Sequence, residues 1–117
     1  MRKKELRIPD YVEHMLVAIG RIREYTAPLT SETFESTQVV IDAVVLNLQI
    51  LGEAAHNVML ANHAFAADHP EIPWQDAYDM RNRISHGYFA INAQTVWKTV
   101  QHDLPELEHA LRRLNLA

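Results

Sequence analysis

The segment Arg81–Tyr88, which reads Arg-Asn-Arg-Ile-Ser-His-Gly-Tyr, combines residue types that can cut a phosphodiester bond. Histidine exchanges protons close to neutral pH, so His86 could serve as a general base or a general acid. The planar guanidinium of Arg81 could stabilise the negative charge that develops on a phosphoryl group in the transition state. Together the two side chains favour phosphodiester cleavage that needs neither a metal ion nor a cofactor.

RNA is the substrate that makes the fewest demands on such a site. Its 2'-hydroxyl is a built-in nucleophile, so one base, one acid and one cationic clamp suffice to cleave the strand and leave a 2',3'-cyclic phosphate. The segment offers one histidine per chain. We therefore expect a homodimer in which two copies of Arg81 and His86 line one cleft.

Hydrophobic periodicity places this segment on the third of four predicted helices. The helix begins at Trp74, after a segment from Ala66 to Pro73 that we expect to be a loop because two prolines interrupt the pattern. It ends at Gly87, so His86 lies in the last turn, where the negative end of the helix dipole favours an imidazolium.

Arg81 falls inside the apolar stripe of this helix, and Arg83 projects to the opposite side as a surface charge that could assist phosphate binding. An arginine among apolar neighbours must meet a carboxylate, a carbonyl or an anionic ligand, because losing its hydration is costly. Glu53 and Asp79 are both possible partners, so a structural ion pair remains open. The stripe consists of Trp74, Ala77, Tyr78, Met80 and Ile84.

Three further amphipathic helices complete the prediction of an all-α, up-and-down four-helix bundle with room for a fifth short helix. The first runs from about Pro9 or Asp10 to Tyr25, with Asp10 as its N-cap, and the second covers roughly Thr37 to Leu60. The last begins after Asn92, and Pro105 should bend it or split it, with Asp103 capping the second half in the latter case.

The second helix carries apolar residues on two sides. One broad stripe faces the expected core, whereas Val45, Leu46 and Leu60 lie among polar residues on the other side. A small monomeric bundle should expose a polar back on each helix, so this second strip supports the homodimer. The broad stripe comprises Val40, Ala43, Val44, Leu51, Ala54, Ala55 and Val58.

Composition narrows the class of protein. The 117 residues suit one helical domain, residues 1–117, and the absence of cysteine excludes disulfides and thiolate metal sites and favours a reducing cytoplasm. We expect neither a signal peptide nor any stretch as long as a membrane span, and hence no membrane partner. A net charge of -4 argues against coating nucleic acid by bulk electrostatics, so any RNA contact should be local.

The spacing Arg81, four residues, His86, one residue, Tyr88 matches the signature of HEPN-domain ribonucleases, and Asn82 fits the polar position after the arginine. Further segments resemble the HepT toxins of that group in order and spacing, over roughly two-thirds of the chain. They are residues 47–55 (Asn-Leu-Gln-Ile-Leu-Gly-Glu-Ala-Ala), 72–74 (Ile-Pro-Trp), 80–82 (Met-Arg-Asn), 86–89 (His-Gly-Tyr-Phe) and 103–107 (Asp-Leu-Pro-Glu-Leu).

The resemblance implies a HEPN-like homodimer with a composite cleft and metal-independent endoribonuclease activity on cellular RNA such as tRNA or mRNA. Arg81 and His86 would be catalytic, with Asn82, Arg83 and Glu53 in support. It also implies the toxin role in a type VII-like toxin-antitoxin system. The antitoxin would be a minimal nucleotidyltransferase that binds the toxin and transfers AMP from ATP onto the motif tyrosine, here Tyr88.

Three other interpretations stay open. In the first, the same residues serve a module that binds a nucleotide, RNA or a protein partner without cleavage. In the second, the chain is a degenerate copy of a toxin. The third is a metal site. Two Glu-x-x-His spacings, Glu53 to His56 and Glu106 to His109, invite comparison with di-iron bundles. Those four side chains point away from their helices' apolar stripes, which disfavours a metal core.

Overall fold

The computed structural model describes residues 7–87 and 91–116, in which every regular element is helical. The prediction of an all-α bundle built from four long helical segments is confirmed, with two short helices where at most one was expected. In chain order the elements are α1 (Ile8–Thr26), α2 (Ser31–Glu35), α3 (Gln38–Ala61), α4 (His63–Asp68), α5 (Trp74–His86), α6 (Ala93–Lys98), a π-helical turn (Thr99–Asp103) and α7 (Leu104–Arg112).

The start of α1 corrects the predicted N-cap. Arg7 is the N-cap, and its backbone N–H donates to the carboxylate of Asp10 at 2.8 Å, so Asp10 lies within the first turn. Pro9 explains the earlier start, because proline suits the first turn of a helix, where its missing N–H has no intrahelical partner to lose.

Helix α3 is the central helix, with α1 and α5 packed against it. Its bounds lie one residue from the prediction at each end. The assignment of Val45 to the outer side is wrong, because Val45 is only 2% exposed and shares a cleft with Ile41, Ile91 and Ala93. Helix α3 therefore buries a larger part of its circumference than contacts with α1 and α5 alone would require.

By length and composition α3 could also cross a membrane. It has 24 residues, and its most apolar 18-residue window has a mean hydropathy of 1.4. The expectation that no stretch reaches this length is therefore wrong. Half of that window is buried inside the protein. A core helix of a helical bundle has this same profile, because it buries apolar side chains against several neighbours.

The segment predicted as a loop from Ala66 to Pro73 is partly helical. The side chain of Asn62 accepts a hydrogen bond from the N–H of Phe65 at 3.0 Å and so caps α4, which extends to Asp68. Ala66 is buried in this short helix. The capping asparagine and the alanines that follow it favour a helical turn before the prolines interrupt the chain.

Asn92 caps the last helical segment as predicted, since its side chain accepts from the N–H of Thr95 at 3.1 Å. Pro105 interrupts α-helical geometry without ending the helix. The π-helical turn lies immediately before it, and α7 follows directly. Asp103 makes no side-chain cap hydrogen bond, so the alternative of a separately capped helix is not what forms.

Candidate active site

Helix α5 positions the predicted catalytic residues at its C-terminal half. Arg81, Asn82 and Arg83 occupy consecutive positions, and His86 is the last residue of the helix before Gly87. The predicted bounds of this helix are confirmed. Tyr88, the predicted modification site, lies outside the described residues.

A glycine on α3 sets the position of Arg81. Gly52 is buried, and a Cβ at this position would overlap the Cβ of Arg81 and lie 2.6 Å from the carbonyl oxygen of Ala77. The two helices can approach this closely because glycine has no side chain. The stem of Arg81 therefore lies against the α3 backbone, while its side chain keeps 34% of its surface exposed.

The structure distinguishes between the two carboxylates considered as partners of Arg81. Glu53 is the partner, with its Oε2 at 3.7 Å from Nη2 of Arg81, whereas Asp79 accepts a hydrogen bond from Gln75. At 3.7 Å the Glu53 contact is an ion pair without a hydrogen bond, and the Glu53 side chain is 45% exposed. Such an exposed pair adds little to stability and leaves the guanidinium accessible.

Asn82 connects Arg81 to His86. Its side-chain oxygen accepts a hydrogen bond from Nη1 of Arg81 at 3.1 Å, and its backbone carbonyl lies 2.8 Å from Nδ1 of His86. A carbonyl oxygen can only accept, so Nδ1 must carry the proton. In the neutral ring Nε2 then holds the lone pair, which is the form that a general base needs.

Arg83 is not brought into this group. It is exposed and lines a cleft with Met80 and Thr99, on the side of α5 that faces the last helical segment. The expectation that Arg83 projects away from Arg81 agrees with this geometry. Its predicted supporting role in phosphate binding stays a prediction.

Two further contacts flank the Glu53–Arg81 pair in the groove between α3 and α5. On one side, the amide of Gln49 donates to the hydroxyl of Ser85 at 3.2 Å. On the other, the rings of His56 and Tyr78 stack with centroids 3.8 Å apart and planes within 8°. The three contacts, which we call the groove ladder, show that α3 and α5 run antiparallel, since each step along α3 is matched by a reverse step along α5.

The sequence analysis did not anticipate the two flanking contacts, although a signal for them existed. Once Glu53 is paired with Arg81 on antiparallel helices, steps of three and four residues along each helix bring His56 to Tyr78 and Gln49 to Ser85. Gln49 appeared only within a matching segment, and Tyr78 was assigned to the apolar stripe. These contacts could not be assigned from the sequence because it left open whether Glu53 or Asp79 pairs with Arg81.

Glu53 and His56, the first Glu-x-x-His pair, contact side chains of α5 and are not arranged as metal ligands. Glu53 faces Arg81, and His56 stacks on Tyr78. Within residues 7–87 and 91–116 no three His, Asp or Glu side chains are grouped so that they could hold a metal ion. Among the described residues, the group at the C-terminal end of α5 offers one imidazole with a free acceptor nitrogen and one guanidinium with unused donors, both at least partly exposed.

Known proteins resemble this chain over nearly its whole length. Residues 15–114 match the family model described as Ribonuclease HepT-like. A protein of Thermococcus cleftensis, named as a probable ribonuclease HepT, is 36% identical over 105 residues, which cover 90% of this chain and 93% of the relative. A protein of Caldanaerobacter subterraneus subsp. tengcongensis, named as a candidate RNase, is 31% identical over 104 residues, covering 89% and 90% of the two chains.

No solved structure matches the chain significantly. The assignment therefore rests on the family model and on these sequence relatives, both of which cover α3 and α5 with the groove between them. It confirms the predictions of a HepT-type protein and of a ribonuclease. The chain belongs to the HepT-like ribonuclease family.

Proposed function

We propose that this protein is a toxin of the cytoplasm that acts as a metal-independent endoribonuclease, with Arg81 and His86 as its catalytic residues. The observation that carries the proposal is the hydrogen bond between Nδ1 of His86 and the carbonyl of Asn82, at 2.8 Å. It fixes the ring with Nε2 as the free proton acceptor. Asn82 also accepts a hydrogen bond from the guanidinium of Arg81 through its side chain.

The reaction follows from these two groups. Nε2 of His86 takes the proton of the 2'-hydroxyl, and the oxygen attacks the adjacent phosphorus while Arg81 donates to the phosphoryl oxygens. The bond from phosphorus to the 5'-oxygen breaks, and an acid returns a proton to that oxygen. The products are a 2',3'-cyclic phosphate and a 5'-hydroxyl end, so no water and no metal ion enters the step.

The need for an acid as well as a base supports a homodimer. Val39, Leu46 and Leu60 on α3 are 73%, 55% and 71% exposed, and together with Glu53 they lie at intervals of seven residues. Seven residues complete nearly two helical turns, so these side chains share one face. A second copy packed on this face would bring two sets of Arg81 and His86 to one cleft, where the second His86 acts as the acid.

Regulation by an antitoxin is the second part of the proposal. Tyr88 follows His86 by two residues, so an adenylyl group on its hydroxyl would bring a bulky anion close to the phosphate site. Such a group would compete with RNA for the guanidinium and fill part of the cleft. We propose a minimal nucleotidyltransferase as the partner that adds it, and tRNA or mRNA as the substrate of the active toxin.

The test of catalysis compares the wild-type protein with His86→Ala and with His102→Ala, which removes an exposed histidine from the π-helical turn. Brief expression in bacteria should arrest growth and fragment total RNA for the wild type and for His102→Ala, but not for His86→Ala. All three proteins should unfold at similar temperatures. If RNA stays intact with the wild type while the purified protein still binds RNA, the protein is an RNA-binding module and not a ribonuclease.

The test of regulation incubates the toxin with the nucleotidyltransferase and ATP and records the intact mass. One added adenylyl group on the wild type and none on Tyr88→Phe is the expected result, accompanied by loss of RNA cleavage. Adenylylation that persists in Tyr88→Phe would place the modification on another residue. An unmodified toxin that is still inhibited would show that binding alone neutralises it.

A further inference from the structure

The rings of His56 and Tyr78 stack on one another across the groove between α3 and α5. Their centroids are 3.8 Å apart and their planes differ by 8°, so the two rings lie almost parallel. Both residues are partly exposed, and neither ring has a hydrogen-bond partner in the described parts of the chain. Stacking covers one face of each ring, and the partial exposure of both residues leaves part of the pair open to solvent.

The aromatic pair lies one helical turn from the Glu53–Arg81 contact. On α3, His56 follows Glu53 by three residues, and on α5, Tyr78 precedes Arg81 by three residues. Side chains at this spacing are neighbours on a helix surface, about 5–6 Å apart. Because His86 follows Arg81 by five residues, the order along α5 is aromatic ring, guanidinium, imidazole.

This order suits a single strand of RNA. A phosphate held between Arg81 and His86 leaves the neighbouring nucleotide to continue along the groove, and in one direction that nucleotide reaches His56 and Tyr78. Proteins bind unpaired nucleobases by stacking them on aromatic side chains, and every base has a face that can stack. A net charge of -4 adds to the argument, because the chain cannot rely on bulk attraction to hold RNA.

His56 lies at the edge of the apolar face of α3 that carries Leu46 and Leu60. At about 100° per residue, His56 lies about 80° from Leu46 and about 40° from Leu60 around the helix axis, on the side turned toward α5. A second copy seated on Leu46 and Leu60 would therefore leave the pair at the side of the shared cleft. The RNA strand and the second copy then occupy adjacent surfaces of α3.

We propose that His56 and Tyr78 form a nucleobase subsite, which stacks the base of an unpaired nucleotide flanking the scissile phosphate. This inference rests on the proposed function, in which Arg81 and His86 hold that phosphate. The subsite recognises the face of a base, so it selects single-stranded over paired RNA and tolerates different base identities.

The experiment measures binding, so that it does not depend on cleavage. In the His86→Ala background, we would compare the Kd of a short oligoadenylate with that of an abasic ribose-phosphate oligomer of the same length. Oligoadenylate should bind about tenfold more tightly, as expected for the loss of one stacked base. Adding Tyr78→Leu or His56→Leu should remove this preference and leave the Kd of the abasic oligomer unchanged.

Two matched variants separate stacking from structural effects. Tyr78→Phe keeps the ring and should retain the preference. Tyr11→Leu removes a tyrosine that meets His14 edge to face on α1, with centroids 6.1 Å apart, and should retain it as well. Since the abasic oligomer reports phosphate binding, an unfolded Tyr78→Leu variant would reveal itself by losing both ligands, and His56→Leu, which removes the other ring, then decides the question.

Equal affinity for the intact and abasic oligomers would overturn the inference, as would a preference that survives Tyr78→Leu. If Tyr78→Leu instead weakens binding of the nucleotidyltransferase and leaves the base preference intact, the pair contacts a protein and the RNA subsite is refuted. A different result would refute the proposed function: wild-type protein that binds these oligomers but does not cleave RNA.

Discussion

At the scale of single residues, Asn82 is the residue that organises the site. Its side chain accepts from Arg81, and its carbonyl fixes the ring of His86, so one position contacts both proposed catalytic groups. The sequence predicted Arg81 and His86 as catalytic from their chemistry, because a guanidinium and an imidazole suit phosphoryl transfer. It could not assign the carbonyl contact, since a main-chain acceptor exists at every position and the local geometry decides which one is used.

The fork of donors on Arg81 predicts that lysine is a poor replacement. Arg81→Lys keeps the charge but loses the planar geometry that contacts two phosphoryl oxygens and Asn82 together. We expect kcat/KM for RNA cleavage to fall by about 10- to 100-fold, equivalent to about 1.4–2.7 kcal/mol of transition-state stabilisation. Arg21→Lys, on the exposed side of α1, is the matched control. Equal activity in the two variants would show that charge alone suffices at Arg81.

At the scale of helices, the close approach of α3 to α5 positions the site. Gly52 permits that approach, and the groove ladder fixes the register of the two helices. Helix bounds followed from periodicity to within one residue for α3 and α5, because long amphipathic patterns dominate local preference. The short helix α4 was missed because its capping asparagine precedes a segment that two prolines mark as irregular.

Gly52→Ala should separate α3 from α5 and damage the site. The added Cβ would overlap the stem of Arg81 and the carbonyl of Ala77, and backbone cannot move aside cheaply. We expect a loss of about 1–3 kcal/mol in the free energy of unfolding, together with reduced cleavage. Gly20→Ala is the matched control, because a Cβ there meets nothing within 4 Å and should add about 0.5–1 kcal/mol of stability. Chemical denaturation measures both, and equal effects would refute this packing account.

Glu108 links α1 to α7 and should make stability depend on pH. Partial burial raises the pKa of its carboxyl, but hydrogen bonds from Arg23 and Arg112 outweigh this effect, so the pKa lies below its usual value. A depressed pKa stabilises the folded state at neutral pH, and this contribution is lost as pH falls below about 4.

Glu108→Gln should therefore lower the free energy of unfolding at neutral pH by about 1 kcal/mol, and the difference from the wild type should shrink as pH falls below about 4. Denaturant unfolding over a pH series measures it. Glu106→Gln, at an exposed position of the same helix, should change little. A difference between Glu108→Gln and the wild type that is independent of pH would mean that packing, and not the carboxylate charge, links these helices.

At the scale of the whole molecule, the exposed apolar face of α3 is the feature that a single chain leaves unexplained. The sequence predicted a second strip there, and Leu46 and Leu60 are exposed as expected, whereas Val45 is buried. The error has a physical cause: an angular count assumes one core direction, but α3 contacts neighbours on several sides. Periodicity alone cannot show how many helices will surround the central one.

The proposed dimer predicts that charge on this face abolishes cleavage without unfolding the chain. Leu46→Glu combined with Leu60→Glu should convert a dimer into a monomer in light scattering and lower RNA cleavage by more than about tenfold, because burying an unpaired carboxylate at an interface is costly. Val17→Glu, at a 41% exposed position on α1, should leave the dimer intact. Full activity in a monomeric double variant would contradict the composite cleft.

The central claim is that Arg81 and His86 cleave RNA through its own 2'-hydroxyl, and the ends of the products test it most directly. Purified protein should cleave RNA in the presence of EDTA, leave 2',3'-cyclic phosphate and 5'-hydroxyl ends, and spare DNA of the same sequence. Products with 3'-hydroxyl and 5'-phosphate ends, or cleavage that EDTA abolishes, would show that water and a metal ion carry out the reaction and would contradict the account.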